Sequence, residues 1–182
     1  MNRGADILGV GLVCAVGLRA RFAAAATRAG IARFGESTHF DRRGQPLIFA
    51  AVPQERLPPV PSAGLAPFES RLARLALAAA QEALQALPLD RPRPSSPSLA
   101  LGLPPPPPGT SQYFRPDPVT RTIVAALDRR IDAACLDVHA CDRVSRLAAL
   151  ATALARIERG APLALALATD SFDEPTLLAA LD

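Results

Sequence analysis

Apolar residues recur with helical spacing over several stretches of this chain. The clearest run begins at Glu69 and ends before Pro88, because proline cannot continue a helix. A second strong run ends at Gly160, a residue type that commonly closes helices. Helices are therefore predicted over residues 18–32, 69–87, 119–130 and 144–159, and a last helix begins within residues 176–181.

Shorter apolar runs between these helices predict strands. The first run contains Gly9 and Gly11 and leads into a tight turn at Gly17. Strands that alternate with helices are typical of α/β layer folds, so we expect a layered mixed sheet with helices on both faces. The length of 182 residues favours a single domain over residues 1–182. The predicted strands cover residues 7–13, 98–103, 133–141 and 163–168.

The helix that begins near residue 144 is apolar on nearly every face, and a helix of that kind is buried on both sides. The other predicted elements are too few to cover it. We therefore expect a second copy, giving a homodimer, or a separate complementary chain to supply the missing layer. The apolar positions are Val144, Leu147, Ala148, Ala149, Leu150, Ala151, Ala153, Leu154, Ala155 and Ile157.

Small residues dominate the hydrophobic part of the composition. Hydrophobic residues make up 49% of the chain, with 37 alanines and 26 leucines, whereas aromatic residues account for 4%. All 20 basic residues are arginine, and they are scattered among 17 acidic residues, for a net charge of +3. Because no basic stripe forms and few aromatic rings are available for base stacking, we expect no nucleic-acid partner.

Proline interrupts regular structure between residues 88 and 118, a segment that contains 11 of the 19 prolines. Residues 104–108 are five consecutive prolines and predict a short polyproline II helix. Such a helix could bind an aromatic groove on another protein. A stiff surface loop is the simpler interpretation, so this segment is not taken as a site.

No apolar run reaches the roughly 18 residues that a membrane-spanning helix needs, so no membrane contact is expected. The N-terminal apolar stretch is similar to a signal peptide. However, Asp6 directly precedes it, and Arg19 and Arg21 interrupt the small-residue run that follows it. We therefore expect a cytoplasmic protein. Three cysteines, an odd number, argue against a disulfide scaffold.

Several segments, taken in chain order, resemble the N-terminal half of β-ketoacyl synthases of the thiolase superfamily. The opening ILGVGLVCAVG is similar to that family's first strand and turn, of the form I-T-G-x-G-x-x-S-P-x-G. The helix RLARLALAAAQEAL is similar to its long alanine-rich helix, and prolines replace most glycines of its glycine loop. The resemblance implies a thiolase-like half. Its segments are residues 7–17, 28–31, 71–84, 98–109, 140–160 and 165–171.

In that family a cysteine at a strand-to-helix turn attacks an acyl thioester. The resemblance places Cys141 at this turn, although the spacing back from Gly160 also allows Arg143 at the nucleophile position. A helix N-terminus favours the thiolate, and its N–H groups can hold an oxyanion. His139, two residues before the cysteine, could act as its general base. A histidine satisfied by a backbone carbonyl is the simpler interpretation.

Family members carry two catalytic histidines in a second half that this sequence does not contain. Its own histidines, His39 and His139, lie in no matching motif. The resemblance therefore implies a protein that is inactive alone and serves as a structural or partner subunit. The alternative is an acyltransferase of the 3-oxoacyl-ACP synthase type, completed in trans by a chain that supplies the histidines, with acyl carrier protein as a further partner. A truncated remnant without a present role is the third possibility.

Two other patterns suggest chemistry that we do not expect. Four potential metal ligands alternate along one predicted strand, but six residues of strand span about 20 Å, too far for one metal ion. Gly9 and Gly11 suggest a dinucleotide-binding turn, but its third glycine would fall at Cys14. Neither a metal nor a cofactor is therefore predicted. The alternating ligands are Cys135, Asp137, His139 and Cys141.

Overall fold

A computed structural model describes residues 4–61, 64–87, 97–105, 114–127, 131–140 and 144–171. Over these residues the chain has an α/β architecture. The helices are α1 (Ala20–Arg28), α2 (Pro67–Gln85), α3 (Pro116–Leu127) and α4 (Ser145–Glu158), with a short 3₁₀ helix at Gln54–Arg56. The strands are β1 (Gly35–Phe40), β2 (Pro46–Phe49), β3 (Ser98–Gly102), β4 (Asp132–His139) and β5 (Ala164–Ala168).

Three parallel strands form the larger sheet, in the order β4-β3-β5. The central strand pairs Leu101 with Val138 of β4 and with Leu167 of β5. The connections from β3 to β4 and from β4 to β5 run through α3 and α4, as parallel pairing requires. Within the described residues, antiparallel strand pairing is confined to a separate sheet of β1 and β2. The two strand directions therefore do not combine into the single mixed sheet that the sequence predicts.

The hairpin of β1 and β2 is an element that hydrophobic periodicity does not predict. Its turn is organised by Asp41, whose Oδ1 accepts hydrogen bonds from the N–H groups of Arg43 and Gln45, each at 2.8 Å. Gly44 follows with a φ of +75°, a conformation that favours glycine. A connection this short permits only antiparallel pairing, which is why the hairpin stands apart from the parallel sheet.

Helices α2 and α3 cover one face of the parallel sheet. Leu99, Leu101 and Leu103 point into this side and are completely buried. Phe68 packs edge-on against Phe114, with ring centroids 5.9 Å apart. Removal of this apolar cluster from water is the main stabilising contribution to the fold. Its other buried members from the two helices include Leu72, Leu77, Val119, Ile123 and Leu127.

Helix α4 covers the opposite face at close range. Ala100 of β3 packs against Ala149 and Ala153 of the helix. A Cβ added at Gly102 would lie 2.8 Å from the carbonyl oxygen of Ser145, so only glycine fits there. Successive residues of a strand point to opposite faces. In β3 the leucines therefore fill the α2–α3 side, whereas alanine and glycine admit the backbone of α4.

The strand predicted over residues 7–13 is wrong, because the structure shows no strand pairing there. The segment lies along α2 instead. An added Cβ would lie 2.3 Å from the Ala83 carbonyl oxygen at Gly9, and 1.8 Å from the Ala79 carbonyl oxygen at Gly11. Gly9 and Gly11 therefore allow this segment to pack on a helix backbone. The tight turn expected at Gly17 is present, because the N–H of Cys14 donates to the Gly17 carbonyl oxygen at 2.9 Å and the N–H of Gly17 to the Cys14 carbonyl oxygen at 3.1 Å.

The other predicted elements agree with the structure to within a few residues where it describes them. The predicted helices correspond to α1, α2, α3 and α4, of which α1 is shorter than expected. The three later predicted strands correspond to β3, β4 and β5. The helix expected within residues 176–181 and most of the proline run at 104–108 lie outside the described residues.

Candidate functional site

The carboxyl edge of a parallel sheet is where α/β proteins commonly bind ligands. β3 ends at Gly102 and leads to α3 on one face, whereas its neighbour β4 ends at His139 and leads to α4 on the other face. In α/β sheets a crevice opens where adjacent strands send their connections to opposite faces, and ligands bind in it. The β3–β4 edge has this topology.

Cys141 and Arg143, the two candidates for the nucleophile position, lie outside the described residues. The residues on either side of them are described, because β4 ends at His139 and α4 begins at Ser145. The chain therefore passes from a strand to a helix between His139 and Ser145. The assignment of Cys141 or Arg143 to the nucleophile position stays a prediction.

His139 is held by the middle of α4. Its Nε2 atom lies 2.9 Å from Oγ1 of Thr152, and the residue is half-buried. Its backbone carbonyl accepts a hydrogen bond from the N–H of Leu103 at 2.8 Å, which continues the pairing of β4 with the end of β3. The ring partner is thus a threonine hydroxyl, where the simpler interpretation expected a backbone carbonyl. Its role as a general base for Cys141 stays a prediction.

Ser145 connects the start of α4 to the end of β3. The residue is 3% exposed, and its hydroxyl donates a hydrogen bond to the carbonyl oxygen of Leu103 at 2.7 Å. Together with the close approach of its backbone to Gly102, this bond fixes the helix N-terminus over the sheet edge. Sequence analysis missed Ser145, because a single serine near a helix start carries no spacing signal.

Asp137 lies on the side of β4 that faces α4, and its carboxylate is paired with an arginine of that helix. Arg156 of α4 forms an ion pair with Asp137, and its Nη1 donates to the carbonyl oxygen of Cys135 at 2.6 Å. Within the described parts of the chain, no group of three His, Cys, Asp or Glu side chains could hold a metal ion. Asp137, one of the alternating residues, instead joins the edge strand β4 to α4 through its ion pair with Arg156.

Two of the three cysteines are described, and both are free thiols. Cys14 is half-buried, whereas Cys135 is exposed. A hydrogen bond to the Asp132 carboxylate, and the negative charge of that group, raise the pKa of Cys135. This thiol is therefore less ionised, and less nucleophilic, than an ordinary surface cysteine.

In a dinucleotide-binding turn, the N-terminus of the following helix would hold the pyrophosphate of the cofactor. Here the carboxylate of Glu82, a residue of α2, lies at the N-terminus of α1. This carboxylate accepts the N–H of Ala20, the first residue of α1, at 3.0 and 3.1 Å, and the N–H of Leu12 at 3.0 Å. The preceding residue, Arg19, gives the helix no side-chain cap. The acid on α2 therefore caps α1 from outside and competes with any anionic ligand there.

A cavity of about 480 Å³ lies beside the carboxyl end of β5. Arg71 of α2 lines it and is 4% exposed. Its Nε donates to the Ser171 hydroxyl and its Nη2 to the Val52 carbonyl oxygen, each at 3.1 Å. Most of the remaining lining is apolar and includes Phe34 and Phe49. Sequence analysis missed this cavity, because its walls come from five separate segments of the chain.

The surface of α4 that points away from the sheet is apolar. Leu147 is 67% exposed, Leu150 49% and Leu154 45%, and Val144 at the helix start is 52% exposed. Ala151 lies among them and is exposed. We call these five residues the outer α4 face. The opposite side of α4 is buried against the sheet. The helix therefore has apolar residues on both its buried side and its exposed side, as the sequence pattern indicates.

Comparisons of the chain with protein-family models, with curated proteins and with solved structures found no match. Over the part of the chain that the structure describes, no helix has both the length and the apolar character needed to cross a membrane.

Proposed function

We propose that this protein is a structural or partner subunit, and that another polypeptide covers its outer α4 face. The observation that carries this proposal is the exposure of three leucines and a valine along one side of a single helix. Single exposed apolar residues are common on monomers, but a contiguous apolar stripe marks an interaction surface.

The distribution of side-chain sizes around α4 supports the same proposal. The residues buried against the sheet are Ser145, Ala149 and Ala153, all of them small. The larger side chains Leu147 and Leu154 point to the opposite side. In a helix that packs on one face only, the large apolar residues lie inside. This inverted arrangement suits a helix that lies between two layers.

The resemblance to the thiolase superfamily also supports a covering layer. In the sequence, the apolar helix follows the segment that resembles the family's nucleophile turn. In the structure, that helix lies on one face of a parallel sheet and leaves its own outer side open. On this proposal, the chain contributes one half of a layered assembly, and the covering polypeptide contributes the other half.

A photo-cross-linking experiment tests the proposal. Benzoylphenylalanine is introduced at Leu150 on the outer α4 face and, as a matched control, at Ile48 of β2, an apolar residue that is 68% exposed. Irradiation of producing cells is expected to yield a discrete protein adduct from position 150 and none from position 48. Adducts from both positions, or from neither, would contradict a specific cover for α4.

The second candidate function is acyl transfer completed in trans, with Cys141 as the nucleophile. The observation that favours it is that β4 ends at His139 and α4 begins at Ser145, so that residue 141 falls in sequence between a strand and a helix. On this proposal, the Cys141 thiolate attacks the thioester carbonyl and the carrier thiol leaves. A partner chain supplies the histidines, and acyl carrier protein delivers the acyl group.

Thiol labelling distinguishes this second candidate. An acyl thioester or a cerulenin-like electrophile is expected to modify Cys141 and to spare Cys14 and Cys135, as measured by peptide mass spectrometry. The raised pKa of Cys135 makes it a slow competitor. Equal labelling of all three cysteines, or labelling of none in the presence of the partner chain, would contradict acyl transfer at Cys141.

A further inference from the structure

We propose that the cavity beside the carboxyl end of β5 binds a neutral, largely aromatic small molecule. The cavity measures about 480 Å³, which lies within the range of about 300–1,000 Å³ that is typical of ligand pockets. Its described lining includes no residue of α4. The inference therefore goes beyond the proposed function and does not depend on the cover of that helix.

Hydrogen bonds hold the walls of the cavity in place. The guanidinium of Arg71 joins two of them, because it donates to the Val52 carbonyl oxygen after β2 and to the Ser171 hydroxyl after β5, each at 3.1 Å. The N-terminal wall is attached to α2 through the N–H of Leu12, which donates to the Glu82 carboxylate at 3.0 Å. Walls that are formed before binding reduce the cost of ordering them around a ligand.

The charges in the described lining balance each other. Arg71 supplies one positive charge and Asp170 one negative charge, and this lining holds no other arginine, aspartate or glutamate. The polar groups next to them are bonded within the protein, since Asp170 accepts the N–H of Ser171 at 2.8 Å and the Thr169 hydroxyl donates to the Leu72 carbonyl oxygen at 3.2 Å. A charged ligand would lose hydration and meet a like charge as well as an opposite one. The lining therefore favours a ligand without net charge.

Two phenylalanine rings favour aromatic character in the ligand. Phe34 and Phe49 both line the cavity, although the chain contains only seven phenylalanines, one tyrosine and no tryptophan. Phe34 is 71% exposed, so the cavity opens to solvent beside its ring. Water in a cavity needs polar partners, whereas aromatic rings pack favourably against one another in offset or edge-on contacts. An aromatic ligand would therefore displace water and cover a ring that is otherwise exposed.

Fluorescence titration of the purified full chain with N-phenyl-1-naphthylamine, a neutral aromatic probe, tests the inference. We expect saturable binding whose dissociation constant rises at least about tenfold in Ala168→Phe, because the added ring occupies part of the cavity. The matched control is Ala166→Phe, at an alanine of β5 that is also exposed but lies outside the lining, and we expect a change of less than about twofold. Circular dichroism verifies that both variants remain folded. Equal effects of the two variants, or no saturable binding, would overturn the inference.

Thiol protection tests where the probe binds. Cys14 lines the cavity and is half-buried, whereas Cys135 is exposed on β4 and lies outside the lining, so it serves as an internal control. Saturating N-phenyl-1-naphthylamine is expected to slow the alkylation of Cys14 at least about fivefold and to leave that of Cys135 unchanged, as measured by peptide mass spectrometry. Unchanged alkylation of Cys14 at saturation would show that the probe binds elsewhere and would overturn the inference.

A sulfonated probe tests the preference for a neutral ligand. 1-Anilinonaphthalene-8-sulfonate has the same ring skeleton as the neutral probe and one added negative charge. We expect it to bind at least about tenfold more weakly, because Asp170 repels it and Arg71 is bonded to protein groups. Equal or tighter binding of the sulfonate would overturn the neutral class, because it would show that Arg71 receives an anion.

Discussion

At the scale of single residues, buried polar side chains tie segments that periodicity alone does not bring together. Glu69 is completely buried in α2, and its carboxylate accepts the N–H groups of Ala66 and Arg115, each at 2.9 Å. The Arg115 guanidinium also lies 3.5 Å from the same carboxylate. One side chain therefore caps α2 and anchors the entry to α3.

Removal of this carboxylate is expected to destabilise the fold. Glu69→Ala leaves two N–H groups without their acceptor, so we expect the free energy of unfolding to fall by about 2–3 kcal/mol. Glu69→Gln retains one amide oxygen and is expected to lose less. Urea denaturation of the two variants measures the difference, and equal losses would contradict this expectation, because they would show that the one retained amide oxygen does not stabilise the fold.

A second prediction at this scale concerns the reactivity of Cys135. Because the Asp132 carboxylate raises the pKa of this thiol, the thiolate fraction near pH 8 is smaller than that of a free cysteine. Asp132→Asn removes the negative charge, lowers the pKa of Cys135 and is expected to speed its alkylation several-fold. The rate is measured against pH by mass spectrometry of the Cys135 peptide. An unchanged pH profile would contradict this role for Asp132.

At the scale of elements, long helical patterns are predicted well and exposed elements poorly. Helices α2 and α4 follow from the apolar spacing of residues 69–87 and 144–159, because many positions report the same period. The hairpin of β1 and β2 depends on an aspartate-centred turn and carries no alternating apolar face. Residues 7–13 look like a buried strand but pack on a helix, since their glycines fit its backbone.

Only the part of the candidate site that depends on local sequence pattern could be predicted from the sequence. The strand-to-helix connection after β4 follows from local pattern, so its place in the chain is predictable. The contact of Ser145 with Leu103 and the cavity beside Arg71 join residues distant in sequence. No alternation or spacing rule reports such contacts, so they were not predicted.

Replacement of Glu82 tests how the N-terminal segment and α1 are attached to α2. The Glu82 carboxylate holds both the N-terminal segment and the start of α1, so Glu82→Ala is expected to release both from α2. Loss of this cap is expected to lower the free energy of unfolding by about 1 kcal/mol. Hydrogen exchange at the amides of Leu12 and Ala20 should accelerate, while exchange in β3 stays slow. Equal acceleration throughout the chain would indicate global destabilisation and not release of one segment.

At the scale of the whole molecule, the two faces of the parallel sheet pack against side chains of different size. On one face, α2 and α3 enclose leucine and phenylalanine in a continuous core. On the other, α4 contacts the sheet through alanine, serine and glycine, and keeps its leucines on the outside. The first face packs against large apolar side chains, whereas the helix on the second face leaves its own large apolar side chains exposed. This asymmetry is the basis of the proposed subunit role.

The central claim, that another polypeptide covers the outer α4 face, is tested most directly by thiol accessibility. In a background with Cys14, Cys135 and Cys141 replaced by serine, a single cysteine is placed at Leu150 or at Ile48, which are 49% and 68% exposed in the isolated chain. We predict that maleimide alkylates position 150 in the assembled protein at least about tenfold more slowly than position 48. Comparable rates at the two positions would contradict the claim.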